Sequence, residues 1–317
     1  MMYTSYVDIT KYTPTVSIIV PTYRRNEKFL TRALDSLLAQ TYDNIEIIVV
    51  DDNADERNSE YRAVVKKTID GYNSDKIVYV KNEKSQGGAI ARNTGVTASC
   101  GQYITFLDDD DKYLPNKVKK QLQYMLDNEL EMSFTDLRIH NGYDRLVDYR
   151  EHSKIKSFDN EDLLKYHLTR QISGTPTFMY QKEAFCKIGG FIKVSMGQEY
   201  HLMFKTIEAG LKIGYLRGSD VVAYREGQEC ISSGQNKVTA QKTLYDFKRT
   251  YFNILSHKQR RFVSFRHRAV MIVAYKRNRQ TITAIAKMFS IFFLHPINCF
   301  REFFSFFRRI NKYNNME

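Results

Sequence analysis

Hydrophobic positions along the chain recur in two rhythms. Val16–Val20 (VSIIV) is a short β-branched run closed by Pro21, the pattern of a buried strand. Over 27–40 the spacing changes, and Phe29, Leu30, Ala33, Leu34, Leu37 and Leu38 share one helical face. The strand pattern returns at Ile45–Val50 (IEIIVV), which ends in Asp51-Asp52-Asn53. Helical spacing then runs to about Ile69, followed by a strand over Lys76–Lys81 (KIVYVK) and the loop NEKSQGG. A helix over Ala89–Ala98 leads to a fourth buried strand, Tyr103–Leu107 (YITFL). Pro115 opens the next helix, which carries Val118, Leu122 and Leu126.

Strands alternating with helices predict an α/β fold with a mostly parallel sheet and crossover helices. Ligands of such sheets bind beyond the carboxyl ends of the strands. Three predicted ends are polar: Thr22-Tyr23-Arg24-Arg25, Asp51-Asp52-Asn53 and Asp108–Asp111. From about Arg138 the alternation is less regular. The spacing predicts a strand over 172–180 (ISGTPTFMY) and an amphipathic helix over 199–210 (EYHLMFKTIEAG), ended by Gly210. After about residue 235 the pattern is helical throughout.

Composition adds a division of charge. The apolar content of 43% over 317 residues belongs to a folded chain. Net charge is +12, yet 235–317 alone hold 17 Lys and Arg against Asp246, Glu302 and Glu317, a net of +14. The preceding body is therefore close to neutral, at −2. Such a tail calls for an acidic partner or surface. Ile282, Ile285, Phe289, Phe292 and Phe293 fall at helical spacing before Pro296, as do Ile297, Phe300, Phe304 and Phe307 after it. With Arg301, Arg308, Arg309 and Lys312 nearby, residues 281–312 suit a helix lying in an anionic membrane surface. A helical subdomain packed on the body, or the seam of a homo-oligomer, would use the same faces. No run reaches the apolar length of a spanning helix. Scattered cysteines and an N-terminus without a signal-like apolar run give a cytoplasmic expectation, with the tail attached peripherally to the inner face of the membrane.

The four consecutive aspartates of FLDDDDKYLP repel one another unless water or a cation screens them. Taken alone they read as a solvated turn. At a strand end, a D-x-D spacing also suits Mg²⁺ or Mn²⁺, which accept one or two carboxylates and take phosphate and water for the rest. Asp51 and Asp52 could accept hydrogen bonds from a base or ribose, or serve a turn. Arg24, Arg25 and Arg92 could face a diphosphate. No GxGxxG follows the first strand and no P-loop is present, which disfavours a dinucleotide-binding Rossmann site.

VSIIVPTYRR, IEIIVVDDN, GGAIARNTGV, YITFLDDDDKYLPNK, FCKIGGF and GQEYHLMFK come in the order and approximate spacing of family 2 glycosyltransferases. The resemblance covers about 14–232. It implies a GT-A fold, a nucleotide-sugar donor, a divalent metal (Mn²⁺ or Mg²⁺) and inversion at the anomeric carbon. It also implies a catalytic domain over 1–234, with a donor half (14–135) and an acceptor half (136–234), followed by the basic helical region 235–317. Thr22 and Tyr23 resemble the family's nucleotide-contacting residues, with Pro21 and Arg25 beside them. Asp52 resembles the aspartate that reads uracil, which favours a UDP-sugar. Arg92 borders the donor site, Asp108 and Asp110 match the D-x-D ends around Asp109, and Asp110 is the expected metal ligand. Where the family has Glu-Asp before a helix, this chain has Gln198-Glu199, so Glu199 takes the catalytic aspartate's place with one more methylene; His201 is the alternative base. The absence of Trp departs from the QxxRW motif of processive synthases. The expected reaction is therefore addition of one hexosyl or N-acetylhexosaminyl unit to a hydroxyl of a cell-surface glycan or lipid-linked acceptor. A nucleotidyltransferase could also use a parallel sheet with paired aspartates on a metal, although a Gly-rich phosphate loop would be expected near its first strand. Interleaved Arg and aromatics in 258–279 leave a basic nucleic-acid-binding protein open as well, against which the near-neutral body counts.

Overall fold

The computed structural model describes residues 13–172, 174–225 and 235–314. The body begins β1 (Val16–Thr22), α1 (Glu27–Leu38), β2 (Ile45–Asp51), α2 (Ser59–Tyr72), β3 (Ile77–Lys81), α3 (Gly88–Ala98) and β4 (Tyr103–Phe106). It continues with β5 (Lys112–Tyr113), α4 (Lys117–Asp127), β6 (Met132–Thr135), β7 (Leu137–Asn141), β8 (Leu146–Arg150) and α5 (Asn160–Arg170). Then come β9 (Met179–Gln181), α6 (Lys182–Lys187), α7 (Gln198–Glu208), β10 (Ile213–Leu216) and β11 (Val221–Arg225). Four helices follow: α8 (Gln235–Thr250), α9 (His257–Arg277), α10 (Thr281–Leu294) and α11 (Pro296–Asn314).

The main sheet has the order β10-β6-β9-β4-β1-β2-β3, and β9 alone runs antiparallel to its neighbours β4 and β6. Both faces of β1 and β2 are covered, which is why their sequences are continuous apolar runs rather than alternations. One apolar cluster joins α1, α2 and α4 to one face, and another joins α3, α6 and α7 to the other. Thr22 pairs with Asp51, so the polar ends of β1 and β2 finish level. Leu107 N donates to Ile19 O at 3.0 Å, which carries the aspartates out of the sheet beside Pro21 and Thr22.

The structure shortens the strand expected over 172–180. Pro176 sits in a 3-10 turn, Thr175–Thr177, and the strand is only Met179–Gln181. A turn with a fixed proline φ and no amide donor cannot extend the ladder. A second sheet, in the order β5-β11-β7-β8, was not anticipated. Its edge strand β5 begins immediately after Asp111, so it anchors the far side of the acidic loop.

Helices α8 and α9 pack on the body. Leu168 of α5 and Phe204 of α7 share a core with Leu255 and Val263, flanked by Phe247 and Tyr251. Helix α9 starts from a capping box between Ser256 and Gln259. By contrast, α10 and α11 leave aromatic side chains in solvent: Phe293 is 77% exposed and Phe304 61%. The side chains of Phe307, Arg308, Arg309 and Lys312 lie outside the described residues. No single described helix is long and apolar enough to cross a membrane, although α10 and the first part of α11 pass that test together, bent by 103°.

Gly95 is where α3 meets β1 and β2 most closely. A Cβ there would stand 2.4 Å from Ile19 Cγ2 and 3.0 Å from Val50 Cγ2. Gly95→Ala is expected to destabilise the protein by roughly 1–3 kcal/mol through overpacking, outweighing the better helix propensity of alanine. The urea midpoint checks this; an unchanged or higher midpoint would show that α3 can shift away at no cost.

Candidate active site

The four aspartates have four different surroundings. Asp109 is buried, and its Oδ1 accepts from Arg25 Nε at 3.0 Å. Burial pushes its carboxyl up to about 7, against the downward pull of Arg25. Asp110 is partly open and accepts from Arg25 Nη2 at 2.5 Å. Its carboxyl is also raised, first by burial and then by Asp108, with Arg25 opposing. Asp108 is the most exposed of the four and is held by Arg92. Asp111 is buried, and its Oδ1 accepts from Tyr224 N of β11 at 2.9 Å. That bond ties the loop to the second sheet. Arg32 adds a clamp, donating to the Asp110 carbonyl while its guanidinium lies 3.8 Å from the Tyr224 ring centroid.

Asp51 and Asp52 also separate. Asp51 is a bracket: Oδ1 accepts from Asn53 N at 2.8 Å and Oδ2 from Tyr79 OH at 2.7 Å. The Asp52 carboxylate closes the loop before α3, accepting from Asn82 Nδ2 at 2.7 Å, Gly87 N at 2.8 Å and Gln86 N at 3.1 Å. Asp52 therefore shapes the loop that borders the strand ends. Arg24, with a left-handed φ of 51°, is braced by Asn53 and Asn58 and points away from the aspartates.

The ARNTG segment does three separate jobs within one and a half turns of α3. Arg92 donates to Asp108 and, at 3.2 Å, to Gln198 Oε1, and it lies over the Phe191 ring. Asn93 brackets the Phe191 backbone, donating from Nδ2 to its carbonyl at 2.8 Å and accepting from its amide at 3.0 Å. Gly95 provides the close approach to the sheet. Gly190, at φ 55°, has no room for a side chain, since a Cβ would meet Asn93 Oδ1 at 2.7 Å. The IGGF turn is thus keyed to α3, and through Gln198 so is the first turn of α7.

Glu199 lies in that first turn, half-buried, and among the described residues its carboxylate accepts no hydrogen bond from another side chain. Burial raises its pKa above the usual glutamate value; Arg92 and Arg150 oppose the rise, while Asp108 adds to it. His201, two positions on, faces elsewhere: its ring packs edge-on against Phe247 of α8 at 4.8 Å, and burial lowers its pKa. Residues two apart on a helix point in nearly opposite directions.

The structure thus gathers Thr22, Arg25, Arg92, Asp108, Asp109, Asp110 and Glu199 around the ends of β1 and β4, with Asp52 behind the adjoining loop. Arg32, Asn82, Asn93 and Tyr224 were missed by sequence reasoning, because nothing local marks a side chain that serves a distant loop. Among the described residues no three His, Cys, Asp or Glu converge into a ready metal cage. The acidic loop instead offers hard oxygens singly, including Asp109 Oδ2, which is buried and, among the described residues, meets no hydrogen-bond donor within bonding geometry. Such a donor set fits a Mg²⁺ or Mn²⁺ that shares its shell with a phosphate ligand.

A sheet with this order, one antiparallel strand, and carboxylates at its centre defines the GT-A fold. Solved structures agree: that of S. aureus TarS 1–349 in complex with UDP-GlcNAc superposes with a TM-score of 0.56 at 17% identity, covering 82% of this chain and 81% of that one. Residues 17–189 match glycosyl transferase family 2, and the chain belongs to that family. An uncharacterized glycosyltransferase of Haemophilus influenzae is 32% identical over 198 residues, and one of Rickettsia typhi 33% over 204. Each match spans 61% of this chain, and 62% and 59% of the relative.

Asp52→Ala is expected to lower stability by roughly 1–3 kcal/mol without any nucleotide present, because it strands the buried Asn82 side-chain amide and removes the acceptor of the Gln86 and Gly87 amides. Thermal denaturation of the apo-protein checks this. An unchanged Tm would mean that Asp52 serves a ligand and not the loop.

Proposed function

We propose that this chain is an inverting, non-processive glycosyltransferase that moves one sugar from a UDP-sugar to a hydroxyl of a membrane-linked glycan. The observation that carries the proposal is the Asp108–Arg92–Gln198 chain of contacts, which sets Glu199 of α7 against the acidic loop after β4. Donor and acceptor machinery come from elements about ninety residues apart, and this chain of contacts fixes one against the other. Support for UDP comes from family membership and from the UDP-GlcNAc complex of the similar TarS fold.

Glu199 takes the proton of the acceptor hydroxyl as that oxygen bonds to the anomeric carbon. The bond from this carbon to the diphosphate breaks on the opposite face, and its electron pair leaves on the phosphate oxygen. Arg25 and Arg92 hold the acidic loop from beside it, placed to offset the charge growing on the leaving group. Asp110, with Asp108, would hold a divalent ion, which when bound supplies further neutralisation of the diphosphate. Among the described residues no side chain donates a hydrogen bond to the Glu199 carboxylate, and its raised pKa makes it a stronger base than an exposed glutamate.

The exposed Phe faces of α10 and α11 support docking on an anionic lipid surface at the inner face of the cell membrane. The positive surplus of residues 235–317 complements such a surface, and no other described element covers these rings.

Nucleotide release from UDP-, GDP- and dTDP-sugars, with and without Mn²⁺, tests the chemistry. Release from a UDP-sugar should require Mn²⁺ and be lost in Asp110→Ala, while Glu199→Gln should retain UDP-sugar binding and lose transfer. The acid limb of the wild-type rate profile should lie above the usual glutamate range, because the base must be ionised and burial raises its pKa. Undiminished transfer by Glu199→Gln would remove the base assignment. Separately, Phe289→Ser, Phe293→Ser and Phe304→Ser in one full-length chain should reduce flotation with phosphatidylglycerol vesicles by about tenfold. Equal flotation would place those rings in another contact.

A further inference from the structure

A cavity of about 350 Å³ opens between the body and the C-terminal helices. Arg150 at the end of β8, Tyr166 and Arg170 of α5, Arg266 of α9 and Glu302 of α11 contribute to its walls. Its polar lining is not electrically balanced at every point. Arg170 is answered by Glu302 at 3.1 Å and rests over the Phe262 ring. At the β8 end, Arg150 and Arg225 lean on one carboxylate, Asp148, at 3.7 and 3.5 Å. The cavity's own lining carries Arg150, Lys154, Arg170 and Arg266 against Asp148, Glu151 and Glu302, a net of +1. Arg150 is also near enough to Glu199 for each charge to shift the other's titration. Helix α5, which gives the cavity Tyr166 and Arg170, packs on α7 through His167, whose Nε2 lies 3.0 Å from the carbonyl oxygen of Tyr200, the residue after Glu199.

We propose that this cavity is the acceptor subsite and that it takes an anionic saccharide, one bearing a phosphate or carboxylate. The inference rests on the glycosyltransferase function proposed above and names the acceptor class for it. Arg150 receives the anionic group, which places a neighbouring sugar hydroxyl toward Glu199. Tyr166 offers a ring and a hydroxyl to the sugar, the combination that saccharides commonly use. Helix α11 connects this site to the exposed aromatic face, since Glu302 lines the cavity while Phe303 and Phe304 are 58% and 61% exposed. A lipid-linked acceptor can therefore keep its lipid on the outer face of α11 and its sugar on the inner one. Residues of the C-terminal region thus help to build the substrate site and are not only an attachment device.

The test is equilibrium binding to the full-length protein, with and without saturating UDP, using glucuronate, glucose 6-phosphate, methyl glucoside and inorganic phosphate as probes. Both anionic sugars should bind at least tenfold more tightly than methyl glucoside, and glucose 6-phosphate more tightly than inorganic phosphate, whether or not UDP fills the donor site. Comparing the two anionic sugars separates carboxylate from phosphate recognition. Arg150→Gln should weaken both by about tenfold, the loss of one charge-assisted contact, while UDP affinity and Tm stay unchanged. Should Arg150→Gln misfold, Arg266→Gln on the opposite wall serves as the second variant, with the same expected loss. Equal binding of methyl glucoside, binding of inorganic phosphate as tight as the sugar phosphate, absence of any sugar binding, or variants without effect would each overturn the subsite. Failure of the wild-type chain to bind UDP would strike the glycosyltransferase proposal instead, and the two failures are read separately.

Discussion

Four adjacent carboxylates at the end of a buried strand repel one another and lose hydration, and much of the surrounding structure answers that cost. Arg25 spans Asp109 and Asp110, Arg92 holds Asp108, and the Tyr224 amide holds Asp111. Arg32 clamps the loop backbone and stacks on Tyr224. These partners come from the loop after β1, α1, α3 and β11. The loop is therefore the point at which both sheets and the α3 crossover are fastened together. Even so, compensation is incomplete: burial keeps the Asp109 and Asp110 carboxyls above the ordinary range. A site that holds negative charge at a stability cost is prepared for a cation or a positively compensated ligand.

The same economy of contacts joins the acidic loop to the first turn of α7. Arg92 touches the acidic loop at one end and Gln198 at the other, and Asn93 fixes Phe191 on the turn that leads into α7. Glu199 inherits its position from these bonds. A packed helix bearing Phe247 takes up His201 on the other side, so the amphipathic faces of α7 assign one titratable residue to the site and the other to the core. Residues 235–314 accordingly do two things. Helices α8 and α9 complete the core behind α7, whereas α10 and α11 present aromatic rings outward.

Much of residues 14–135 was legible from sequence. β1, β2 and β4 are nearly continuous apolar runs, because strands covered on both faces are apolar throughout, and their ends were marked by the polar residues that follow; β3, at the sheet edge, is half-exposed. The second half resisted for a physical reason. β6, β7, β8, β10 and β11 have four or five residues each, and several are half-exposed, so neither a long apolar run nor a full alternation develops. A local signal was present at Asn141-Gly142, a hairpin pair between β7 and β8. The predicted strand at 172–180 failed because Pro176 breaks the ladder that its flanking apolar residues suggest.

The sequence by itself determined the α/β class, the order of the polar strand ends, the acidic character of the loop and the basic, aromatic character of the tail. These follow from short-range periodicity and composition, which need no knowledge of what lies across the fold. Tertiary structure alone decided how identical residues divide their work. Asp108 to Asp111 are the same side chain four times, yet each meets a different partner, and Asp52 serves a loop whose amides come from 82–87. The division of the tail into a packed pair and an exposed pair was likewise settled by which faces met α5 and α7. Contacts between residues distant along the chain depend on register and packing, and spacing along one strand or helix carries no record of them.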